Sequence, residues 1–95
     1  MEFEWDEAKR IANLRKHGVD FARVEAFDWS TPVEVQDVRR HYGEARWQAL
    51  GVIDDRLYML IYTKRDGRTR VISLRKASRQ EKAYYAEKQT AVSFR

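Results

Sequence analysis

One stretch of the chain concentrates the side chains that bind phosphate. Residues 62–85 hold eight basic and two acidic residues, about six net positive charges, whereas the formal total for all 95 residues is +4. A focused positive potential attracts phosphate backbones. The stretch is therefore the first candidate for a nucleic-acid contact. Its charged residues are Lys64, Arg65, Asp66, Arg68, Arg70, Arg75, Lys76, Arg79, Glu81 and Lys82.

Three of these arginines stand where an anion would be held. Arg65 lies at a hairpin turn, and Arg79 opens a helix, where free backbone N–H groups favour an anion. Strand alternation puts Ile72 and Leu74 on one face, so Arg75 should point to the other face, away from the main core. Convergence of the three guanidinium groups on one anion is compatible with this alternation, which does not by itself establish it.

The composition excludes several other kinds of site. The chain has no cysteine, so a disulfide framework, a thiolate metal site and a cysteine nucleophile are all unavailable. Its two histidines, His17 and His41, do not form a metal-binding motif. A metal-dependent mechanism would rest on carboxylates alone, and we predict neither a metal nor a cofactor.

Length and hydropathy indicate a single small domain over residues 1–95. The hydrophobic content of 43% and the aromatic content of 13% suffice for a buried core. The N-terminus lacks the basic start and apolar run of a signal peptide, and no apolar stretch approaches the length of a membrane span. We therefore expect a cytoplasmic protein without a membrane partner.

The N-terminal third favours two helices. Asp6 is a plausible N-cap for a helix over about residues 6–16, which ends at His17-Gly18. Asp20 would cap a second, short helix over about residues 21–27. Residues 2–5 are either a brief edge strand or an arm on the core.

A period-two pattern begins after Pro32, the only proline, and predicts four antiparallel strands. The first strand begins at Val33, and the other three strands cover about residues 45–53, 57–63 and 69–75. Ser78 and Glu81 match a capping box that starts a last helix over about residues 79–89, followed by a tail in which Phe94 would pack back on the fold. The prediction is an α+β domain with two N-terminal helices, a four-stranded antiparallel sheet and a C-terminal helix.

Several separated motifs follow one another between residue 3 and about residue 85. They are Phe3-Glu4-Trp5-Asp6, Asn13, Lys16-His17-Gly18-Val19, Phe21, Glu44, Arg46, Gly51, Tyr62-Thr63-Lys64-Arg65, Ile72-Ser73-Leu74-Arg75-Lys76-Ala77, Arg79, Glu81 and Tyr85. In this order they resemble the BrnT family of toxins from bacterial toxin–antitoxin systems. Departures are mild: Leu74 stands where a small residue is common, and Lys82 where an arginine is common.

The resemblance implies a RelE-like fold and a ribonuclease that blocks translation by cleaving mRNA, with or without the ribosome. It also implies a BrnA-like antitoxin with a ribbon-helix-helix DNA-binding part, through which alone the toxin would reach operator DNA. RelE-like ribonucleases are metal-independent, and the ribose 2′-hydroxyl attacks the adjacent phosphorus. That reaction needs cations on the phosphorane, a proton acceptor and a proton donor.

Each candidate role has a structural alternative. Glu44 is the best carboxylate for a base, or it forms a cross-strand ion pair with Arg46. His17 suits proton transfer, or it satisfies the end of the first helix. Tyr85 would protonate the leaving oxygen or stack on a base, or it belongs to the core. The phosphate-binding role falls to the arginines, Arg65, Arg75 and Arg79.

Two other functions stay open on these grounds. One is a nucleic-acid-binding module without catalysis, whose arginines only hold backbone phosphate. The other is a degenerate toxin kept as a partner-binding protein. Loss of cleavage on single arginine substitutions would indicate catalysis, whereas graded, salt-dependent losses of affinity would indicate a binding module.

Overall fold

A five-stranded mixed sheet forms the centre of the molecule. The computed structural model describes the backbone of residues 1–93 and the side chains of residues 1–90. The elements in chain order are β1 (Phe3–Trp5), α1 (Glu7–His17), a 3₁₀-helix (Phe21–Ala26), β2 (Val33–Asp37), β3 (Arg46–Ile53), β4 (Arg56–Arg65), β5 (Arg68–Lys76) and α2 (Arg79–Ser93).

The strand order is β1-β5-β4-β3-β2. The chain from β2 to β5 runs as an antiparallel meander, as the turn signals predicted, but β1 pairs in parallel with Thr69–Val71 of β5. The expected four-stranded antiparallel sheet of the RelE-like arrangement was therefore wrong. The edge strand that was one alternative for residues 2–5 is formed as β1, but the sequence has no local signal for its parallel pairing with a distant strand, since only three residues take part.

The expectation of two N-terminal helices was also wrong. α1 is capped by Asp6, and Gly18 ends it in the left-handed conformation at φ 71°, as predicted. The second element is instead a six-residue 3₁₀-helix, with Arg23 and Phe27 donating backbone N–H bonds to residues three earlier. Asp20 caps it as expected, but so short a segment before an extended Phe27 favours the tighter turn.

The main core lies on one face of the sheet. The 3₁₀-helix contributes Phe21 and Val24, and β4 contributes Leu60; all three are fully buried. Gly51 leaves room for this packing, because a Cβ there would lie 2.3 Å from the ring of Phe27. A side chain at that position would therefore push the aromatic ring off the sheet.

A β-bulge decides which side chains of β5 face the core. Ile61 pairs with Ser73, but Tyr62 pairs with Val71, so Ile72 is an extra residue. Val71 and Leu74 therefore share the core face, both fully buried. The expectation that Ile72 and Leu74 share a face was wrong, because the bulge interrupts the alternation.

The other face of the sheet is covered only at one end, by α2. Glu81, Gln80 and Tyr84 of this helix line an apolar groove of about 420 Å³ against Val33, Leu50 and neighbouring sheet residues. α2 extends to Ser93, beyond the predicted end, and the expected packing of Phe94 lies outside the described residues. No helix in the described part of the chain combines the length and apolar composition needed to cross a membrane.

Candidate nucleic-acid interface

The uncovered part of this second face, which we call the open face, holds a cleft of about 540 Å³. Isoleucines of β4 and β5 line it, and the β2–β3 connection supplies most of its charged side chains. This charge is carried by arginines, as expected of a surface that receives phosphate. The lining residues are Asp37, Arg39, Arg40, Tyr42, Arg46, Ile61 and Ile72.

A buried carboxylate fixes the connection over the cleft. The side chain of Asp37 is 1% exposed and accepts hydrogen bonds from Arg39 Nε at 2.8 Å and Nη2 at 2.7 Å. The Tyr42 hydroxyl donates to it as well, at 3.3 Å. The hydrogen bond from Arg39 is the main reason that the pKa of Asp37 lies well below 3.8. The aspartate is therefore ionised and orders both Arg39 and Tyr42.

Arg46 is a candidate that the sequence analysis weighed only as an ion-pair partner. Its guanidinium carbon lies 4.1 Å from the centroid of the Tyr42 ring, a cation–π contact. Its Nε is buried 3.8 Å from Glu44 Oε2, too far for a hydrogen bond. The signal that could have found it is parity: Arg46 pairs with Asp37 in register and so shares the open face with it.

Glu44 is engaged in a surface ion-pair network. Arg65 donates to its Oε1 from Nε at 3.1 Å and from Nη2 at 2.7 Å. The carboxylate thus lies between Arg65 and Arg46, which agrees with the ion-pair alternative for its role. This group stands at the hairpin end of the open face.

Arg75 is held at the other end by α2. Its guanidinium donates two hydrogen bonds to Glu81, at 2.7 and 2.9 Å. Glu81 also accepts from the Ser78 backbone N–H at 2.8 Å, and its own N–H donates to Ser78 Oγ at 3.1 Å, which confirms the capping box. The Arg75 hydrogen bond is the main reason that the pKa of Glu81 falls to about 2.

The positive charge of Arg75 is one of the influences on the pKa of His17. Burial, then Lys16, then Arg75 lower the pKa of His17 below 6.5, so the imidazole is neutral at pH 7. Asn13, one turn earlier on α1, bonds the main chain of Leu74, the residue before Arg75. The end of α1 is thereby fixed beside the Arg75 end of the open face.

The remaining candidates do not all converge. Arg75 pairs with Met59, six positions from Arg65 on β4, so the two arginines are about 20 Å apart along the strand at roughly 3.3 Å per residue. Arg79 is exposed at the start of α2, and its guanidinium makes no hydrogen bond or ion pair with any described residue. The Tyr85 hydroxyl donates to the Thr31 carbonyl at 2.9 Å, which ties α2 to the start of β2.

The described residues include no group of three or more histidine, aspartate or glutamate side chains that could hold a metal ion. They provide several guanidinium groups and a cleft on the open face, and one imidazole at the end of α1. Such a surface can hold a phosphate backbone and accept a proton.

A protein-family model described as "Ribonuclease toxin, BrnT, of type II toxin-antitoxin system" matches residues 5–81. No curated protein matches the chain. The matched range contains His17, Glu44, Arg75 and Arg79, and ends before Tyr85.

Proposed function

Because the chain belongs to the BrnT family of ribonuclease toxins of type II toxin–antitoxin systems, we propose that it cleaves RNA at the Arg75 end of the open face. The 2′-hydroxyl of a ribose attacks the adjacent phosphorus there. The products are a 2′,3′-cyclic phosphate and a 5′-hydroxyl end.

The observation that carries this proposal is the contact of α1 with β5: Asn13, one turn before His17, bonds the main chain of Leu74, the residue before Arg75. A guanidinium group stays charged and matches two phosphate oxygens, whereas a neutral imidazole accepts a proton. The charge of Arg75 contributes to keeping His17 neutral. We therefore place both groups that the attack requires at this end of the open face.

In the proposed route the scissile phosphate lies between Arg75 and Arg79, whose charges stabilise the phosphorane. His17 takes the 2′ proton as the O–P bond forms. The 5′ oxygen leaves with the electron pair of the broken P–O bond and takes a proton from water, since the Tyr85 hydroxyl is engaged with Thr31. The route as written uses side chains and water alone.

Glu44 and Arg65 receive a different role in this proposal. Arg65 holds Oε1 of the carboxylate through two hydrogen bonds, so we assign Glu44 to the ion-pair network. Arg65 is half-exposed, and its guanidinium lies far from Arg75 along the strand. We assign it to the RNA backbone outside the cleavage step.

A type II system supplies an antitoxin, and we propose that a BrnA-like antitoxin covers the open face. Masking Arg75 and Arg79 is the simplest way to silence the site. The antitoxin's ribbon-helix-helix part would carry the pair to operator DNA. A structure of the complex in which both arginines stay exposed would contradict this.

One observation favours a second function, binding without cleavage. Glu81 occupies the guanidinium of Arg75 in the two-point geometry that a phosphate needs. If Glu81 keeps these hydrogen bonds when RNA binds, the arginines of the open face only contact the RNA backbone. Substitutions would then cause graded, salt-dependent losses of affinity.

The deciding experiment is induction of the wild-type chain beside Arg75→Ala, Arg79→Ala and His17→Gln, with total RNA examined for cleavage. Arg23→Ala is the matched control, because Arg23 lies on the 3₁₀-helix and pairs with Asp54 at 2.9 Å. We expect growth arrest and cleaved RNA for wild type and control, lost in the three variants at equal expression. A parallel culture supplies the antitoxin, which should relieve the arrest.

Intact RNA and normal growth with the wild type would overturn the proposal in favour of binding alone. Purified protein with a chelator added tests the route itself. Cleavage should persist, and the 5′ fragment should end in a cyclic phosphate. A 3′-hydroxyl end on that fragment would exclude 2′-hydroxyl attack.

A further inference from the structure

We infer that the cleft of the open face binds one nucleotide of the RNA beside the cleavage centre. The base lies against its apolar floor, and a phosphate lies against its arginines. This subsite rests on the proposed function for the identity of the ligand as RNA. It adds a recognition site that the cleavage step itself does not require.

The floor is apolar where the surrounding face is charged. Ile61 and Ile72 are half-buried among arginines, and Ile72 is the extra residue of the β-bulge. Bulges re-aim side chains and occur often beside functional sites. The volume of about 540 Å³ lies within the range of roughly 300–1,000 Å³ typical of small-molecule sites. A single base with its sugar is of this class of ligand.

The wall of the cleft supplies a flat surface for stacking. The Tyr42 ring carries the Arg46 guanidinium on its face at 4.1 Å, and both groups stack on nucleobases in RNA complexes. Asp37 holds the Tyr42 hydroxyl and so fixes the ring before any ligand arrives. The platform is pre-ordered, which lowers the entropic cost of binding.

The charge of the cleft is positive after its internal pairing is counted. The carboxylate of Asp37 forms an ion pair with Arg39, while the Arg40 side chain makes no hydrogen bond or ion pair within residues 1–90. Arg40 thus remains for a phosphate, and Arg46, which lies 3.8 Å from Glu44 Oε2 without a hydrogen bond from its Nε, adds a second positive charge. Ile61 on the cleft floor pairs with Ser73, which lies two positions from Arg75 on β5. One RNA strand can therefore meet the cleft and the cleavage centre together.

The test uses binding of a labelled single-stranded oligoribonucleotide with 2′-O-methyl groups throughout, followed by fluorescence anisotropy at several salt concentrations. The 2′-O-methyl groups block cleavage, so the result is independent of catalysis. We expect Arg40→Ala and Arg46→Ala to weaken binding about tenfold, and each to reduce the salt slope by about one. Arg23→Ala, which removes the same charge from the helix-covered side, should change affinity less than twofold.

The base contact needs its own measurement. An abasic oligomer with the same number of phosphates should bind the wild type about tenfold more weakly, through loss of stacking. Ile72→Ala should weaken the intact oligomer and leave the abasic one unchanged. Arg40 is exposed, so its variant stays informative if Arg46→Ala fails to fold.

Two results would overturn the inference. One is equal affinity for the intact and abasic oligomers, which would mean that the cleft holds no base. The other is that Arg40→Ala and Arg46→Ala match Arg23→Ala with RNA yet abolish binding of the antitoxin, which would make the cleft a protein site. Failure of the wild type to cleave natural RNA would instead overturn the proposed function and leave these binding results standing.

Discussion

The guanidinium of Arg75 donates two hydrogen bonds to the carboxylate of Glu81, at 2.7 and 2.9 Å. Two parallel N–H···O bonds are also the arrangement by which an arginine holds a phosphate. Glu81 and an RNA phosphate therefore compete for the same donors. Whether Arg75 binds RNA depends on how readily its two hydrogen bonds to Glu81 break.

Replacing Glu81 by Gln should strengthen RNA binding. A glutamine at this position keeps the capping box with Ser78 but removes the charge that competes with phosphate. We expect the dissociation constant for a non-cleavable RNA to fall about three- to tenfold, since hydrogen bonds to charged groups are the stronger ones. Glu87→Gln, an exposed acid further along α2, controls for net charge. Equal gains in the two variants would show that Arg75 does not receive the phosphate.

The rate of cleavage should rise with pH through a midpoint below 6.5. As the proposed base, His17 works only when neutral, and burial with the charges of Lys16 and Arg75 lowers its pKa. Activity is therefore full at pH 7 and lost as the pH falls through the folded pKa. Initial rates on a short RNA between pH 4.5 and 8 provide the profile. A profile that is flat across this range would remove His17 from the reaction.

Lys16→Gln should move that midpoint upward. Lys16 is the larger of the two charge effects on His17, after burial, so its removal raises the pKa towards 6.5. An NMR titration of the His17 ring measures the shift directly, and the pH–rate profile should follow it. Lys9→Gln, an exposed lysine near the other end of α1, should move neither. A shifted titration with an unshifted rate profile would assign the kinetic midpoint to another group.

Asp37→Asn should destabilise the fold by about 2 kcal/mol, because it leaves a buried group with weakened hydrogen bonds. Asp37 has its pKa lowered, so its contribution to stability is present above its ordinary value of 3.8 and is lost as the pH falls further. The difference between wild type and variant in denaturant unfolding should therefore shrink below about pH 4. Asp54→Asn, at the exposed pair with Arg23, should cost less than about 1 kcal/mol at any pH.

Local signals predicted much of the fold. The Asp6 cap, the Gly18 end of α1, the hairpin turns and the Ser78–Glu81 box are all formed by residues close in sequence. An edge strand was one of the two alternatives for residues 2–5, but its parallel pairing with β5 was not predicted. The short capped segment after Asp20 was predicted as an α-helix and is a 3₁₀-helix, which depends on how the segment packs. The bulge at Ile72 could not be predicted either, because no glycine or proline marks it in the sequence.

The same distinction applies to the candidate site. Strand alternation correctly predicted that Arg75 points away from the core. It gave the wrong face for Val71 and Ile72, because the bulge interrupts the alternation. The Glu81 bond to Arg75 and the Arg46 contact with Tyr42 are tertiary, so no spacing in the sequence revealed them. The charge count pointed to residues 62–85, whereas most charged side chains of the cleft come from the β2–β3 connection. The folded sheet decides which of those charges meet.

Asn13 joins the two halves of the proposed centre. Its side-chain amide donates to the carbonyls of Leu74 at 2.7 Å and Val19 at 3.0 Å, and accepts from the Leu74 N–H at 3.3 Å. β1 pairs with β5 only over Thr69–Val71, so Asn13 satisfies a strand edge that β1 does not reach. The amide thus makes the two hydrogen bonds to Leu74 that a neighbouring strand would otherwise make, and it fixes α1 beside Arg75.

Asn13→Ala should cost about 2–3 kcal/mol in denaturant unfolding, because buried backbone groups of β5 lose their partner. If Asn13 also positions His17, the loosened helix end should raise the pKa of His17 in an NMR titration, as the imidazole becomes hydrated and leaves Arg75. Leu14→Ala, at the neighbouring exposed position, should lower stability less and leave that titration unchanged. An Asn13 variant that loses stability while the His17 titration stays in place would limit the amide to a structural role, because the imidazole would then be held near Arg75 by other contacts.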